Sequence, residues 1–354
     1  MSNIQSYYKS VRVISALIRY DINKYSSLKI YNSYYIGLSG RKTPVKIITS
    51  NKNINKVFIL FPGASPFAEE HPKMLMLGHI LASNGFKVYI PRIPPLKKLE
   101  VTEENINWFL SFYKWLINNE MIRPEKIIMT GISYGGGLML KMLIDNADKL
   151  SFPKAIMTFG TYSDAQSLFK FLLSGKLIVD NKEHIIEPNE WGLIVIFHNY
   201  LKNLKLDWDT TKLQKAIHYK VNNFDKDSNH HIEDLPKSQK DLFYSIVSGK
   251  ANLEVEELAY MILENESDSY KKLSPEFGAE KIKDKIFILH GANDSMVPFT
   301  QSIRLSEYLP NVELCISYLI EHKEIAGNSG FFSRLKEIIK IINFYSRLFF
   351  HYEN

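Results

Sequence analysis

The sequence contains a single cysteine, Cys315, among its 354 residues, so no disulfide can form within the chain. This excludes a disulfide-stapled scaffold and is typical of a reducing compartment, so we predict a cytoplasmic location. Long apolar runs are also lacking, since no stretch approaches the roughly 18 residues that a membrane-spanning helix needs. The net charge is only +6, and the Lys and Arg residues are dispersed, which argues against nucleic acid as a partner.

The first twenty residues lack the pattern of an export signal. Basic residues interrupt the apolar stretch that a signal peptide needs, and no small-residue cleavage pattern follows. Val11, Ile14 and Ile18 have helical spacing, which is more typical of a helix packed on its own domain than of one bound to a membrane surface. The sequence therefore predicts a helical extension over residues 1–40, with membrane-surface contact as the lesser alternative.

Short apolar runs rich in branched side chains recur along the chain, and most are continuously apolar. They fall at 57–61, 88–90, 127–129, 155–159, 286–289 and 312–319. Strands buried on both faces have this composition, and such burial is typical of a parallel sheet covered by helices. Patterns of helical period separate the runs, at 72–82, 103–116, 134–145, 299–308 and 332–349. The alternation predicts an α/β fold with a doubly wound, mostly parallel sheet.

The alternation is interrupted once, between about Thr161 and Lys281, by helical patterns rich in Leu and Phe and by a polar loop. A long insertion between two strands of one sheet is typical of a cap over a site or of an elaborated surface. We therefore expect a core formed by 41–160 and 282–354 and a helical cap insertion over 161–281.

A glycine-flanked serine stands where a predicted strand meets a predicted helix, in Gly131-Ile132-Ser133-Tyr134-Gly135. A turn this tight strains its central residue, and side chains two positions before and after it would collide with the neighbouring strand and helix. Glycines occupy both of these positions. The pattern predicts that Ser133 stands exposed above the sheet, beside a helix N-terminus that favours negative charge.

A second loop lies after the strand at 57–61, where Pro62-Gly63-Ala64 follows the last apolar residue. An oxyanion formed in acyl transfer needs two preorganised hydrogen-bond donors, one of them from the residue after the nucleophile. The backbone amides of Tyr134 and Ala64 are the candidates for these donors.

Two further polar residues follow predicted strands. Asp294 comes after the strand at 286–289, and His322 comes after the strand at 312–319. A neutral imidazole can take the proton of a serine hydroxyl when another group fixes its tautomer, which is the task of a carboxylate. Asp164, just past the strand at 155–159, is the alternative acid, and His71 is a minor alternative base that could line the site.

Other histidines have simpler explanations. His290 belongs to a strand end, where a structural role is more common. His230 and His231 are adjacent, so their side chains diverge, and no further metal-ligand spacing accompanies them. We predict a solvated loop there and no metal site. Gly135–Gly137 come without a P-loop lysine or a dinucleotide-binding pattern, so no nucleotide is expected either.

The order Ser, Asp, His, the motif GISYGGG, the strand-borne HGANDSMVP and the 28-residue offset between Asp294 and His322 resemble the α/β-hydrolase superfamily. The resemblance covers about residues 46–345. It implies Ser133 as nucleophile, Asp294 as acid and His322 as base. It also implies the amides of Ala64 and Tyr134 as the oxyanion hole, although Pro62 stands where the family commonly has histidine. Within the superfamily, the chain is most similar to serine esterases and to dienelactone-hydrolase-like or peptidase-like enzymes.

The implied activity is hydrolysis of a carboxylic ester or related acyl bond through a covalent acyl-enzyme, with no cofactor. The expected partner is a small acyl substrate, whose acyl group we place against Phe171 and Leu172 of the insertion, together with Leu168 and Phe169. Two alternatives stay open on this fold, namely an acyltransferase with the same triad and a noncatalytic ligand-binding protein. The sequence favours no particular oligomeric state.

Overall fold

The computed structural model describes residues 3–51, 54–179, 181–223, 226, 228–319 and 331–354. Within this part of the chain, the strands are β1 (Lys29–Ile36), β2 (Lys42–Thr49), β3 (Val57–Phe61), β4 (Lys87–Pro91), β5 (Ile127–Ile132), β6 (Ala155–Phe159), β7 (Lys176–Val179), β8 (Lys182–Ile185), β9 (Ile286–Gly291) and β10 (Val312–Ser317).

The helices alternate with these strands or lie in the long insertion. In chain order, they are α1 (Asn3–Ile18), α2 (Pro72–Ser83), α3 (Pro94–Lys97), α4 (Glu104–Asn118), α5 (Tyr134–Asp145), α6 (Ala165–Ser174), α7 (Trp191–Tyr200), α8 (Thr211–Asn222), α9 (Asn229–Ile232), α10 (Lys237–Ser248), α11 (Leu253–Asn265), α12 (Ser267–Leu273), α13 (Thr300–Tyr308) and α14 (Phe331–Glu353).

The described residues form one eight-stranded sheet in the order β1-β2-β4-β3-β5-β6-β9-β10. The six strands from β4 to β10 are parallel, whereas β1 and β2 pair antiparallel with each other and β2 pairs antiparallel with β4. Strands β3 and β9 are buried at every position, because helices cover both faces of the sheet. The predicted α/β fold with a mostly parallel sheet is confirmed.

Two hydrophobic cores lie on opposite faces of this sheet, because successive side chains of a strand point to opposite sides. Phe58 and Leu60 of β3 pack in one core with side chains of α1, α2 and α14. Val57, Ile59 and Phe61 pack in the other core, with α4, α5 and the helices of the insertion. The insertion therefore extends the core on the face that carries α5.

The helical prediction for residues 1–40 is correct for α1 and wrong for residues 29–36. Val13 and Ile14 of α1 are buried in the core that α14 also lines. Residues 29–36 instead form β1, an edge strand in register with β2 from Lys29↔Thr49 to Ile36↔Lys42. The strand is half exposed and polar at several positions, so it lacks the continuous apolar run that marks the central strands.

Residues 161–281 contain helices α6 to α12 and also the short antiparallel hairpin of β7 and β8. Every residue of β8 is exposed, so burial leaves no apolar pattern from which this strand could be predicted. Across the described ranges, no helix has both the length and the apolar character that crossing a membrane requires.

Candidate active site

Ser133 is the single residue between β5 and α5, and its backbone has φ 52° and ψ −131°. A positive φ is strained for a residue with a side chain, and such strain is typical of a nucleophile on a strand-to-helix turn. The Ser133 N–H donates to the carbonyl oxygen of Phe159 at 2.7 Å, which ties the turn to the end of β6. The predicted strained turn is therefore present.

The glycines around Ser133 allow two close backbone approaches. A Cβ on Gly131 would lie 2.6 Å from the Cα of Gly136 in the first turn of α5. A Cβ on Gly135 would collide with the carbonyl oxygen of Pro62, at the end of β3. Glycine at both positions thus allows α5 to start directly above the neighbouring strand ends.

Ser133 opens into a cavity of about 380 Å³ that is mostly apolar. One wall comes from the loop after β3, and another from α6, α7 and Tyr270 of the insertion. The described lining residues are Ala64, Ser65, Pro66, Phe67, His71, Leu99, Val101, Ser133, Tyr134, Ala165, Leu168, Phe169, Leu172, Asn189, Trp191, Gly192, Val195, Ile196, Tyr200, Tyr270, Met296 and Val297. A cavity of this volume falls in the usual range for small-molecule sites.

Of the four predicted acyl-pocket residues, the structure places Leu168, Phe169 and Leu172 at this cavity. Leu172 lines it, on the same face of α6 as Ala165, Leu168 and Phe169. Phe171 is buried at 3% exposure and is absent from the described lining, so its assignment to the pocket is wrong. Successive helical residues turn by about 100°, which rotates Phe171 away from the face that Leu172 shares with Leu168.

The loop after β3 lies directly against the serine. A Cβ on Gly63 would stand 3.2 Å from the Cβ of Ser133 and 3.7 Å from its Oγ. The next residue, Ala64, lines the cavity, as does Tyr134. Among the described residues, neither amide of Ala64 or Tyr134 has an acceptor. Both N–H groups are thus available to a negatively charged oxygen near Ser133.

The side chain of Tyr134 packs against that of Tyr162. Its ring stacks on that of Tyr162, with 4.7 Å between the centroids. The Tyr162 hydroxyl in turn donates to the carbonyl oxygen of Leu273, at the end of α12, at 2.8 Å. Burial raises the pKa of the Tyr134 hydroxyl well above its usual value, so this residue stays neutral beside the serine.

Asp294 lies in the loop after β9, and it is only 4% exposed. Its Oδ1 accepts hydrogen bonds from the amides of Met296 and Val297, each at 2.9 Å. Its Oδ2 lies 3.2 Å from the position that a Cβ on Gly160 would occupy. Gly160 directly follows Phe159, which accepts from the Ser133 amide. The end of β6 therefore separates Asp294 from Ser133 by a single strand.

Asp164 has a different environment, which is structural. Its carboxylate caps α6 by accepting from the amides of Ser167 at 2.9 Å and Gln166 at 3.3 Å. Ser274 donates to it at 3.2 Å, and Arg304 lies 3.8 Å away. These contacts direct the Asp164 carboxylate to the start of its own helix and to Arg304.

His322, the predicted base, lies outside the described residues. The strand before it, β10, pairs with β9, which is the strand before Asp294. His71 lines the cavity, and its Nδ1 accepts from the amide of Lys73 at 3.2 Å. His231 stacks on Tyr219, and His230 lies 3.3 Å from an exposed Glu233. The described residues hold no group of metal-ligating side chains.

Sequence reasoning missed several residues that shape the site. Trp191 and Val195 of α7 line the cavity, and Gly160 makes room for Asp294. Gly160 directly follows a predicted strand and has a φ of 60°, so a glycine at a strand end was an available signal. The lining from α7 depends on how the insertion packs on the core, which no local pattern reveals.

No family model and no curated protein matches the chain. Solved structures do match it: an acylaminoacyl peptidase from Pyrococcus horikoshii has a TM-score of 0.53 at 16% identity, over 96% of this chain and 43% of that one. An acylaminoacyl peptidase in complex with Z-Gly-Gly-Phe-chloromethyl ketone has a TM-score of 0.52 at 15% identity, over 92% and 41%. Puromycin hydrolase has a TM-score of 0.50 at 11% identity, over 91% of this chain and 39% of that one. The chain spans about two fifths of the length of these proteins.

Proposed function

We propose that this chain, which has the α/β-hydrolase fold, is a serine hydrolase that cleaves carboxylic ester or related acyl bonds. The observation that carries the proposal is the positive φ of Ser133 at the mouth of a mostly apolar cavity. The amides of Ala64 and Tyr134 lie beside it and have no acceptor among the described residues. Strain of this kind persists only where the surrounding structure enforces it, and it is concentrated at functional sites. The structural neighbours, acylaminoacyl peptidases and puromycin hydrolase, support the same general class.

The proposed reaction proceeds through an acyl-enzyme. Ser133 Oγ attacks the carbonyl carbon as His322 takes the hydroxyl proton, and the oxyanion accepts hydrogen bonds from the amides of Ala64 and Tyr134. The carbonyl reforms, the bond to the leaving oxygen breaks, and His322 returns the proton to that oxygen. Water, deprotonated by His322, then attacks the acyl carbonyl carbon. The bond from that carbon to Ser133 Oγ breaks, His322 returns the proton to Oγ, and the carboxylic acid leaves. Asp294 holds the base in the required tautomer.

The cavity supports an apolar acyl group as the bound part of the substrate. Helices α6 and α7 contribute nine of its 22 described lining residues, among them Leu168, Leu172 and Val195. Burying an apolar chain there removes its surface from water, at about 25 cal/mol for each Å². The site needs no metal or organic cofactor for this chemistry.

A cytoplasmic location is part of the proposal. Cys315, the single cysteine, is 3% exposed, and burial raises the pKa of its thiol to about 11. A chain without a possible internal disulfide is typical of a reducing compartment. Fractionation of the native host, with the protein recovered outside the cytosol, would contradict this location.

Hydrolysis of p-nitrophenyl esters of increasing acyl length tests the proposed activity. We expect activity in the wild type and a loss of at least about 10³-fold in kcat on Ser133→Ala. Ser174→Ala is the matched control, since that serine is exposed at the end of α6, and its described hydrogen bonds are local, to the Lys170 carbonyl oxygen and from the Lys176 amide. No turnover by folded wild type, or equal turnover by Ser133→Ala, would reject the proposal. A new ester formed with added alcohol, in place of free acid, would indicate an acyltransferase.

A further inference from the structure

His290 is a fully buried histidine that lies in β9 behind the candidate acid. Its side chain has no solvent exposure, and it is not among the described residues that line the cavity. Its Nε2 lies 2.8 Å from the carbonyl oxygen of Val297, and its Nδ1 lies 2.6 Å from Ser302 Oγ. An imidazole buried at this depth is costly unless such hydrogen bonds satisfy it.

These two contacts define the protonation of the ring. A carbonyl oxygen only accepts hydrogen bonds, so Nε2 must carry a proton and donate it to Val297. In the neutral ring, Nδ1 then accepts from the Ser302 hydroxyl, which also lies 3.3 Å from the Thr161 carbonyl oxygen. The structure therefore assigns a proton on Nε2 to His290, with the Val297 carbonyl oxygen as the group that requires it.

Val297 connects this histidine to Asp294. Its carbonyl oxygen accepts from His290, while its amide donates to Asp294 Oδ1 at 2.9 Å. The same Nε2 lies 3.8 Å from Asp294 Oδ2, so its partial positive charge faces the carboxylate. Both carboxylate oxygens are thus influenced by one ring, Oδ1 through Val297 and Oδ2 directly.

We propose that His290 is a positioning residue that fixes the Asp294 carboxylate at the carboxyl end of β9, through Val297. This inference rests on the proposed function, since it takes Asp294 as the acid of the triad. Without the Nε2–H donor, the Val297 carbonyl has no partner in this network, and the loop that carries Asp294 can shift. A displaced carboxylate orients and charges the catalytic base less well.

Two substitutions separate positioning from packing. His290→Gln keeps an amide N–H near the place of Nε2 and so keeps the donor to Val297, whereas His290→Asn keeps one near Nδ1 and loses that donor. We expect His290→Asn to lower kcat by about 10- to 100-fold while KM changes less than about threefold, as for other residues that orient a catalytic group. His290→Gln should stay within about fivefold of wild type.

The pH profile is the readout that packing alone does not move. A nearby carboxylate raises the pKa of an imidazole, so a displaced Asp294 should shift the acid limb of kcat to lower pH in His290→Asn and not in His290→Gln. Two results would overturn the proposal. One is equal kcat values for the two variants, each calculated from the concentration of folded protein, and the other is an unshifted acid limb in His290→Asn. If His290→Asn does not fold, the protonation of the His290 ring in folded wild type decides instead.

Histidine-selective ¹⁵N NMR tests the proposal without catalysis, so its failure is distinct from failure of the proposed function. The His290 signals are assigned by their loss in His290→Gln. We expect a neutral ring protonated at Nε2, as donation to Val297 requires. A ring protonated only at Nδ1 would overturn the inference even in an active enzyme. A wild type that hydrolyses no ester but shows the Nε2 tautomer would reject only the proposed function.

Discussion

Asp294→Asn is the substitution with the most specific expected outcome. The asparagine oxygen can keep the hydrogen bonds from Met296 and Val297, each 2.9 Å long in the carboxylate, so the loop after β9 should keep its conformation. The other position changes from an acceptor to an NH2 donor, which cannot accept the N–H of the catalytic base. The base is then held in the wrong tautomer, and kcat should fall by about 10⁴-fold, or about 5.4 kcal/mol.

Asp164→Asn is the matched control for that prediction. Asparagine caps helices about as well as aspartate, so the bonds to Ser167 and Gln166 at the start of α6 can persist, with a stability loss of at most about 1 kcal/mol. We expect kcat within about threefold of wild type, since the contacts of this carboxylate among the described residues are with the start of α6, Ser274 and Arg304. The assay compares kcat on one activated ester for variants whose folding is verified by circular dichroism. The reverse ranking would place the acid at Asp164 and refute the reasoning.

Three further outcomes follow from the site. Gly135→Ala should abolish most ester hydrolysis and lower the melting temperature, because its Cβ meets the Pro62 carbonyl; wild-type activity in this variant would contradict the geometry of the turn. Leu172→Ala should change the ratio of kcat/KM for long esters to kcat/KM for short esters by at least about fivefold, whereas Phe171→Leu should change it by less than about twofold. Equal changes in the two variants would place the acyl group elsewhere. With His322 as base, kcat/KM should fall about tenfold per pH unit below roughly pH 6.5, and a flat profile from pH 5 to 8 would exclude a histidine base.

The central strands could be predicted from sequence because burial on both faces leaves a continuous apolar run. The run at 57–61 coincides with β3, and the run at 155–159 coincides with β6. Strand β1 was not predicted because it is an edge strand. Its residue Tyr35 is buried, whereas its residue Tyr34 is 52% exposed. Its mixed pattern is that of a surface segment, and only pairing with β2 defines it.

Site features that depend on residues close together in sequence could be predicted. Features that depend on how distant segments pack could not. The turn around Ser133 is specified by Gly131 and Gly135, each two residues from the serine in sequence. Phe171 and Leu172 are neighbours on one helix, and only the docking of that helix on the core determines which of them lines the cavity. The contact of His290 with Val297 likewise requires the folded loop, so a strand-end histidine alone gave no sign of it.

Covalent labelling of Ser133 tests the central claim most directly. A fluorophosphonate reacts with a serine whose oxygen is activated and lies beside an oxyanion hole, so folded wild type should gain one phosphonyl group. Digestion and mass spectrometry should locate that group on Ser133, and Ser133→Ala should remain unlabelled. Labelling that persists in Ser133→Ala, or its absence from folded wild type, would contradict the account.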